Sequence, residues 1–380
     1  MLAIQNNQTP IYSRKKLATS IVDLLNNDVS RPGLFLTAPR RTGKSTFLSN
    51  DLVPLLKSEG ALVIYADLWE DKTKDPGMVI AEALQQAVRD ESGVVWKNSQ
   101  KVGMSKLRFG GIELDLNAIG TPKGASFAKI ITTLSTESQK PIILIIDEAQ
   151  AALGTEMGQN ALFALKAARD AMFRGQNQGF RLIATGSNTD LLQDMVVSKK
   201  QAFYDATLEK LPTLGLSYLK WRLAQLPQKA ELPMPALQES FQALGYRPDS
   251  LRRVLLKLPK SSTDYGRALL SLTQDELKKE HQSFIAKLDS LQPFEVDMLK
   301  RMWKEKTKFS PFSATTLQSY QDQYGLKVAK VDVQRTLEEF KKEGLVVRIG
   351  HGQWILDEVN PKWLSAYQLP TPSAQPGPSP

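Results

Sequence analysis

The chain has 380 residues, 42% apolar and 23% charged, with a formal charge of +9, no cysteine and two histidines, His281 and His351. That composition excludes disulfides, cysteine-based zinc sites and thiol nucleophiles, and it leaves too few histidines for a histidine metal centre. The length suits two or three domains of about 100 to 200 residues each, and a mild basic excess favours polyanions only where it gathers on one face.

The start, MLAIQNNQTP, lacks the basic and apolar regions of a secretory signal. No segment reaches the roughly 18 uninterrupted apolar residues that a spanning helix needs. A cytoplasmic location without membrane contact is therefore expected. Residues 15–27 have helical periodicity, and after Arg31-Pro32-Gly33 the run LFLTA (34–38) reads as a short buried strand. Helices over 44–57, 79–90, 127–136 and 161–173 then alternate with the strands ALVIYADL (61–68), PIILIID (141–147) and FRLIATG (180–186). Strands apolar throughout, separated by amphipathic helices, predict an α/β fold with a parallel sheet covered on both faces. Alternation around Gly110-Gly111 predicts a hairpin over 101–117. From about 212 to 275 the pattern is helical.

The segment APRRTGKST (38–46), between a strand and an amphipathic helix, has the setting of a phosphate-binding loop. Ala38, Pro39, Arg40, Arg41, Thr42, Gly43, Lys44, Ser45 and Thr46 would surround the phosphates of ATP. Gly43 permits close backbone approach, Lys44 reaches the β- and γ-phosphates, and the Ser45 hydroxyl is a ligand for Mg²⁺. The first glycine of the usual pattern is Ala38, which suits a less permissive turn. IILIIDEAQ (142–150) ends an apolar strand in two acids. Asp147 would hold Mg²⁺ and Glu148 would act as general base, the two meeting Lys44 across adjacent strand tips; the alternative is that both cap the next helix. In FRLIATGSNTDLL (180–192), Thr185, Ser187 or Asn188 would bond the γ-phosphate or the lytic water, Asn188 being favoured, with a turn and helix cap as the alternative.

Together APRRTGKSTFL, YADLWED, IILIIDEAQ and LIATGSN resemble the prokaryotic AAA+/STAND-type P-loop ATPases often called archaeal ATPases, relatives of the origin-recognition ATPases, over roughly residues 10–260. The resemblance implies ATP hydrolysis by Lys44, Ser45, Asp147 and Glu148, with Asn188 in the first sensor position. It implies that Tyr12 and Arg14 of IYSRKKL line the base pocket. It also implies a lid sensor arginine in GYRPDSLRRVL, with Arg247, Arg252 and Arg253 as alternatives.

Toward the C-terminus, FEVDMLKRMWKE, SATTLQSYQDQYG and KVDVQRTLEEFKKEG read as three helices. LVVRI, Gly350-His351-Gly352 and QWIL follow as a hairpin, which gives the helix-helix-helix-hairpin order of a winged helix. The expected organisation is an ATPase core over 1–211, a helical lid over 212–290, a winged helix over 291–366 and a disordered tail over 367–380. On duplex DNA the third helix would offer Lys330, Gln334, Arg335 and Lys341, with Arg348 and His351 on the wing. Acids in the same segment leave protein contact as an alternative. The functional expectation is an ATPase that self-associates and assembles on or leaves DNA with its nucleotide state. The alternative is a nucleotide-dependent signalling switch acting on a protein partner.

Overall fold

A computed structural model describes residues 10–71, 73–92, 106–109, 112–115, 126–174, 179–226, 232–259, 262–349, 353–357 and 361–368. The chain divides into two compact units, Met1–Thr273 and Gln274–Pro380.

In the first unit, β1 (Leu34–Thr37), β2 (Leu62–Asp67), β5 (Ile142–Asp147), β6 (Phe180–Gly186) and β7 (Thr207–Lys210) form one all-parallel sheet in the order β2-β5-β6-β1-β7. Two further strands, β3 (Lys106–Phe109) and β4 (Ile112–Asp115), pair antiparallel as the expected hairpin; its glycine turn lies outside the described residues. Every residue of β1 and β5 is buried, as strands covered on both faces must be.

The covering helices are α1 (Lys15–Asn26), α2 (Lys44–Phe47), α3 (Val53–Ser58), α4 (Pro76–Glu91), α5 (Phe127–Ser138), α6 (Glu156–Arg174) and α7 (Thr189–Val197). A single π turn, Leu48–Leu52, joins α2 to α3. Ile143 and Ile145 of β5 join one core with Ile21 and Leu25 of α1 and with Phe47, Leu48, Leu52 and Leu56 of the helical run after the loop. Their neighbours Ile142, Leu144 and Ile146 point the other way and are equally buried. On that side α4, α5 and α6 pack together and against β2, β5 and β6. Local chemistry sets the helix starts: Asp75 and Ser126 cap α4 and α5 through their side-chain oxygens, and Pro76 occupies the first turn of α4.

Strand β7 was not expected from the sequence. Its residues TLEK are half-buried or exposed because it is an edge strand, so no apolar run announces it. After it come α8 (Leu216–Ala224), α9 (Met234–Ala243), α10 (Pro248–Leu256) and α11 (Tyr265–Asp289), and the division between the units falls within α11.

The second unit contains α12 (Pro293–Glu305), α13 (Ala314–Tyr324), α14 (Lys330–Lys342), β8 (Val346–Ile349), β9 (Gln353–Leu356) and α15 (Pro361–Ala366). The two strands pair antiparallel; the turn that holds His351 lies outside the described residues. Val333, Leu337 and Phe340, spaced for one face of α14, join Phe294, Leu299, Met302, Trp354 and Leu364 in a single core. Tyr367, assigned to the tail from sequence, is buried in this core, and its hydroxyl donates to Asp289 Oδ1 at 2.7 Å. Residues 369–380 of that tail lie outside the described residues. Among the described residues no helix is long and apolar enough to cross a membrane.

The fully buried Tyr320 hydroxyl has no hydrogen-bond partner among the described residues. An unsatisfied buried polar group costs about 1–3 kcal/mol. Tyr320→Phe is therefore expected to stabilise this unit by about 1 kcal/mol, read as a higher denaturation midpoint; a loss of stability would show that the hydroxyl is satisfied.

Candidate functional site

Residues 38–46 leave the end of β1 and lead into the helical run Lys44–Ser58. The loop closes on itself through Thr42 Oγ1, which donates to the Pro39 carbonyl at 2.6 Å, and through Arg14 Nη2, which donates to the Gly43 carbonyl at 2.6 Å. Its left-handed residues are Arg41 (φ 61°) and Gly43 (φ 89°). Ala38 does not need that conformation. It is buried and its amide donates to Gly186 O at 3.3 Å, so alanine is tolerated where the common pattern has glycine. Arg41 pays for a conformation that L-residues avoid, a strain of about 1–2 kcal/mol; such strain gathers at functional loops.

Lys44 lies at the centre. Its Nζ contacts Asp147 Oδ1, sits 2.9 Å from Glu148 Oε1 and donates to Thr185 Oγ1 at 3.1 Å. Thr185 Oγ1 in turn donates to Asp147 Oδ1, while Ser45 Oγ (2.8 Å) and Tyr65 OH (2.9 Å) donate to Asp147 Oδ2. Burial works to raise the Asp147 carboxyl, but the Lys44 charge and hydrogen bonds from Lys44, Thr185 and Ser45 outweigh it and leave the group below the usual carboxylate range. Asp67 stands beside Asp147 in the β2–β5 register. Burial foremost, with the Asp147 charge adding to it, raises Asp67.

The expected meeting across adjacent strand tips is corrected by the strand order, because β6 runs between β1 and β5. Lys44 reaches Asp147 over the tip of β6, which is why Thr185, at that tip, touches both. Glu148 does not cap a helix through its side chain; it sits in the left-handed region (φ 55°) at the start of a short 3-10 turn. Its Oε2 accepts from Gln150 Nε2 at 2.6 Å and from Ser187 Oγ at 2.8 Å.

Asn188, favoured as the sensing residue, instead caps α7: its side-chain oxygen accepts from the Leu191 amide at 3.1 Å. It lies two residues beyond the end of β6, where the chain has already turned toward the free amides of the next helix, whereas Thr185 contacts Lys44 and Asp147 and Ser187 contacts Glu148. Tyr12 packs with rings 5.5 Å from both Tyr218 and Trp221 of α8, and Arg14 lies over the Phe47 ring at 4.7 Å. Arg252 is half-exposed and pairs with Asp249 of its own helix at 3.7 Å; no described contact takes it to the phosphate loop. Tyr65, Asp67 and Gln150 escaped the sequence reading, although the first two lie in YADLWED and the third in DEAQ. Their side chains carry no motif of their own: sheet register brings Tyr65 and Asp67 to Asp147, and the 3-10 turn after β5 folds Gln150 back onto Glu148.

A loop whose lysine and serine converge on an acid at the tip of the next strand but one, on a parallel sheet of this order, decides the fold class. The fold is that of an AAA+ P-loop ATPase. A Walker-type ATPase of Pyrococcus abyssi is similar over 96% of this chain and 99% of its own, at 19% identity and a TM-score of 0.50. The ORC2 protein of Aeropyrum pernix, in ADPNP–ADP complexes, matches over 95% and 94% at 12% identity and a TM-score of 0.47. The ORC1 protein of the same organism, in complex with DNA, matches over 93% and 92% at 13% identity and a TM-score of 0.45. No protein-family model and no curated protein matches the sequence.

In this ATPase fold the depressed Asp147 carboxyl has a consequence for stability. Its contribution is complete above the unfolded-state value of about 3.9 and is lost as pH falls through the lower folded-state value. The stability advantage of wild type over Asp147→Asn in urea unfolding is expected to shrink as pH is lowered from about 5 to about 3; a difference that is flat with pH would contradict the ion cluster.

Proposed function

We propose that the protein binds ATP with Mg²⁺ and hydrolyses it to ADP and phosphate. The observation that carries this reading is the convergence of Lys44, Ser45, Asp147 and Glu148 at one sheet edge. Ser45 Oγ and Asp147 Oδ2, 2.8 Å apart, are hard oxygens of the kind Mg²⁺ accepts beside phosphate oxygens. One ammonium, Lys44, faces the carboxylates of Asp147 and Glu148, so the cluster has room for added positive charge. Bound there, Mg²⁺ would neutralise phosphate charge.

The chain's own residues account for the remaining steps. Lys44 shifts from the two carboxylates to the γ-phosphate, and the loop amides after Arg41 hold the phosphate oxygens. Glu148 takes a proton from water as the water oxygen bonds to the γ-phosphorus. The bond from that phosphorus to the β–γ bridging oxygen breaks, and ADP and inorganic phosphate leave. Tyr12, Arg14 and the aromatic face of α8 line the approach to the base, and Arg252 is the lid arginine of this reading.

We further propose that nucleotide state governs assembly on duplex DNA, with a winged helix in the second unit. Lys330, Gln334, Arg335 and Arg348 are exposed on α14 and β8, and the chain is basic. Self-association belongs to the same reading. A protein partner is the second reading, and charge on α14 and the residue that ends it favours it: Lys330, Arg335, Lys341 and Lys342 are matched by Asp332, Glu338 and Glu339 with Glu343 just beyond the helix, and Arg335 pairs with Asp332 at 3.1 Å.

ATP hydrolysis and sedimentation, measured with and without duplex DNA at low salt, test both parts. Glu148→Gln is expected to cut kcat by about 100-fold or more while nucleotide stays bound, and Lys44→Ala to weaken nucleotide binding itself. Turnover that survives Glu148→Gln sinks the catalytic assignment. A rate and particle size indifferent to DNA transfer the second unit to the protein-partner reading.

A further inference from the structure

Glu148 is held by one oxygen. Its Oε2 accepts three donors, Gln150 Nε2 at 2.6 Å, Ser187 Oγ at 2.8 Å and the Ser187 amide at 3.2 Å, while Oε1 faces Lys44 Nζ at 2.9 Å. Gln150 is fully buried, and its own carbonyl oxygen has no hydrogen-bond partner among the described residues. A buried amide that satisfies its nitrogen and abandons its oxygen does not improve fold stability. Room is also kept for it: a side chain at Gly186 would overlap Gln150 Oε1. The second arm of the clamp reaches back to the phosphate loop, because Arg40 Nε donates to Ser187 Oγ at 3.0 Å with its guanidinium 3.8 Å over the Trp69 ring.

We propose that Gln150 and Ser187 are positioning residues that immobilise Glu148 Oε2, so that Oε1 is the oxygen that takes the proton of the attacking water, and that Arg40 ties this clamp to the phosphate loop. The proposal rests on the hydrolytic reading above. While Lys44 lies on the acids, both oxygens of Glu148 are engaged. When Lys44 moves to a γ-phosphate, Oε1 alone is released, already aimed at the space Lys44 has left. General-base catalysis depends on that aim, since a small misplacement of a reacting group is costly in rate.

The test uses the full chain and measures kcat, nucleotide affinity by direct titration and melting temperature for wild type, Gln150→Met, Ser187→Ala, Ser187→Thr and Glu148→Gln. Gln150→Met is expected to lower kcat by about 10- to 100-fold with nucleotide affinity unchanged and the melting temperature equal or higher, because a buried unsatisfied oxygen has been removed. Ser187→Ala is expected to move kcat in the same direction, and Ser187→Thr to recover most of that loss. A Gln150→Met kcat equal to wild type overturns the clamp, as does a fall in kcat that arrives with weaker nucleotide binding and a lower melting temperature, the signature of a structural role. If wild type shows no hydrolysis sensitive to Glu148→Gln, the hydrolytic reading itself fails and takes the clamp with it. Hydrolysis that depends on Glu148 and ignores Gln150 sinks the clamp alone.

Discussion

A buried ammonium held against two carboxylates is the interaction around which the first unit is arranged. Taking such charges out of water costs several kcal/mol per ion, and their mutual attraction seldom repays more than that cost. A cluster of Lys44, Asp147 and Glu148 therefore adds little to stability as a whole, although breaking it would leave an uncompensated buried charge. It persists because the apolar sheet beneath it is continuous through β1, β5 and β6, and because hydroxyls of Ser45, Tyr65 and Thr185 satisfy the remaining lone pairs of Asp147. An ion cluster of this kind is a store of electrostatic attraction, which in the proposed function an incoming polyphosphate and its cation redirect.

Strand order governs how the store is reached. With β6 between β1 and β5, the lysine side chain must cross one strand tip to meet Asp147. The crossing gives β6 a place in the site. Thr185 sits under Lys44, Ser187 holds Glu148, and Gly186 between them leaves space for Gln150. Three consecutive residues of one strand end thus serve three different partners. The backbone adds its own constraint, since Arg41 and Glu148 both adopt left-handed conformations, and residues held in that way turn side chains toward a site at the expense of local ease.

The second unit follows a different logic. Its core is apolar and helical, centred on Phe294, Tyr320, Phe340 and Trp354, and its exposed third helix balances acid against base. With four basic residues against three acids over Lys330–Lys342, a helix so nearly neutral gains little from the long-range attraction that draws proteins to DNA phosphates. On the proposed reading, recognition by this unit depends on the geometry of a few side chains rather than on bulk charge.

Most of the element pattern was legible in the sequence because buried parallel strands and amphipathic helices write their periodicities directly into it. The phosphate loop and the Asp147-Glu148 pair were legible for a related reason: their chemistry requires particular residue types at contiguous positions. Strand β7 was hidden, since an edge strand of polar residues has no period that separates it from a loop. The contact of Tyr65 was also hidden, and sequence named Thr185 and Ser187 only as alternatives to Asn188, because their partners depend on which strands are neighbours and on which face a residue of a given register emerges. Asn188 illustrates the limit: sequence placed it near the site, but the turn out of β6 aimed it at the amides of α7. Contiguous chemistry and core burial are local properties that a sequence determines by itself. The partners of a side chain across a sheet are decided only by the order and register in which the strands come together.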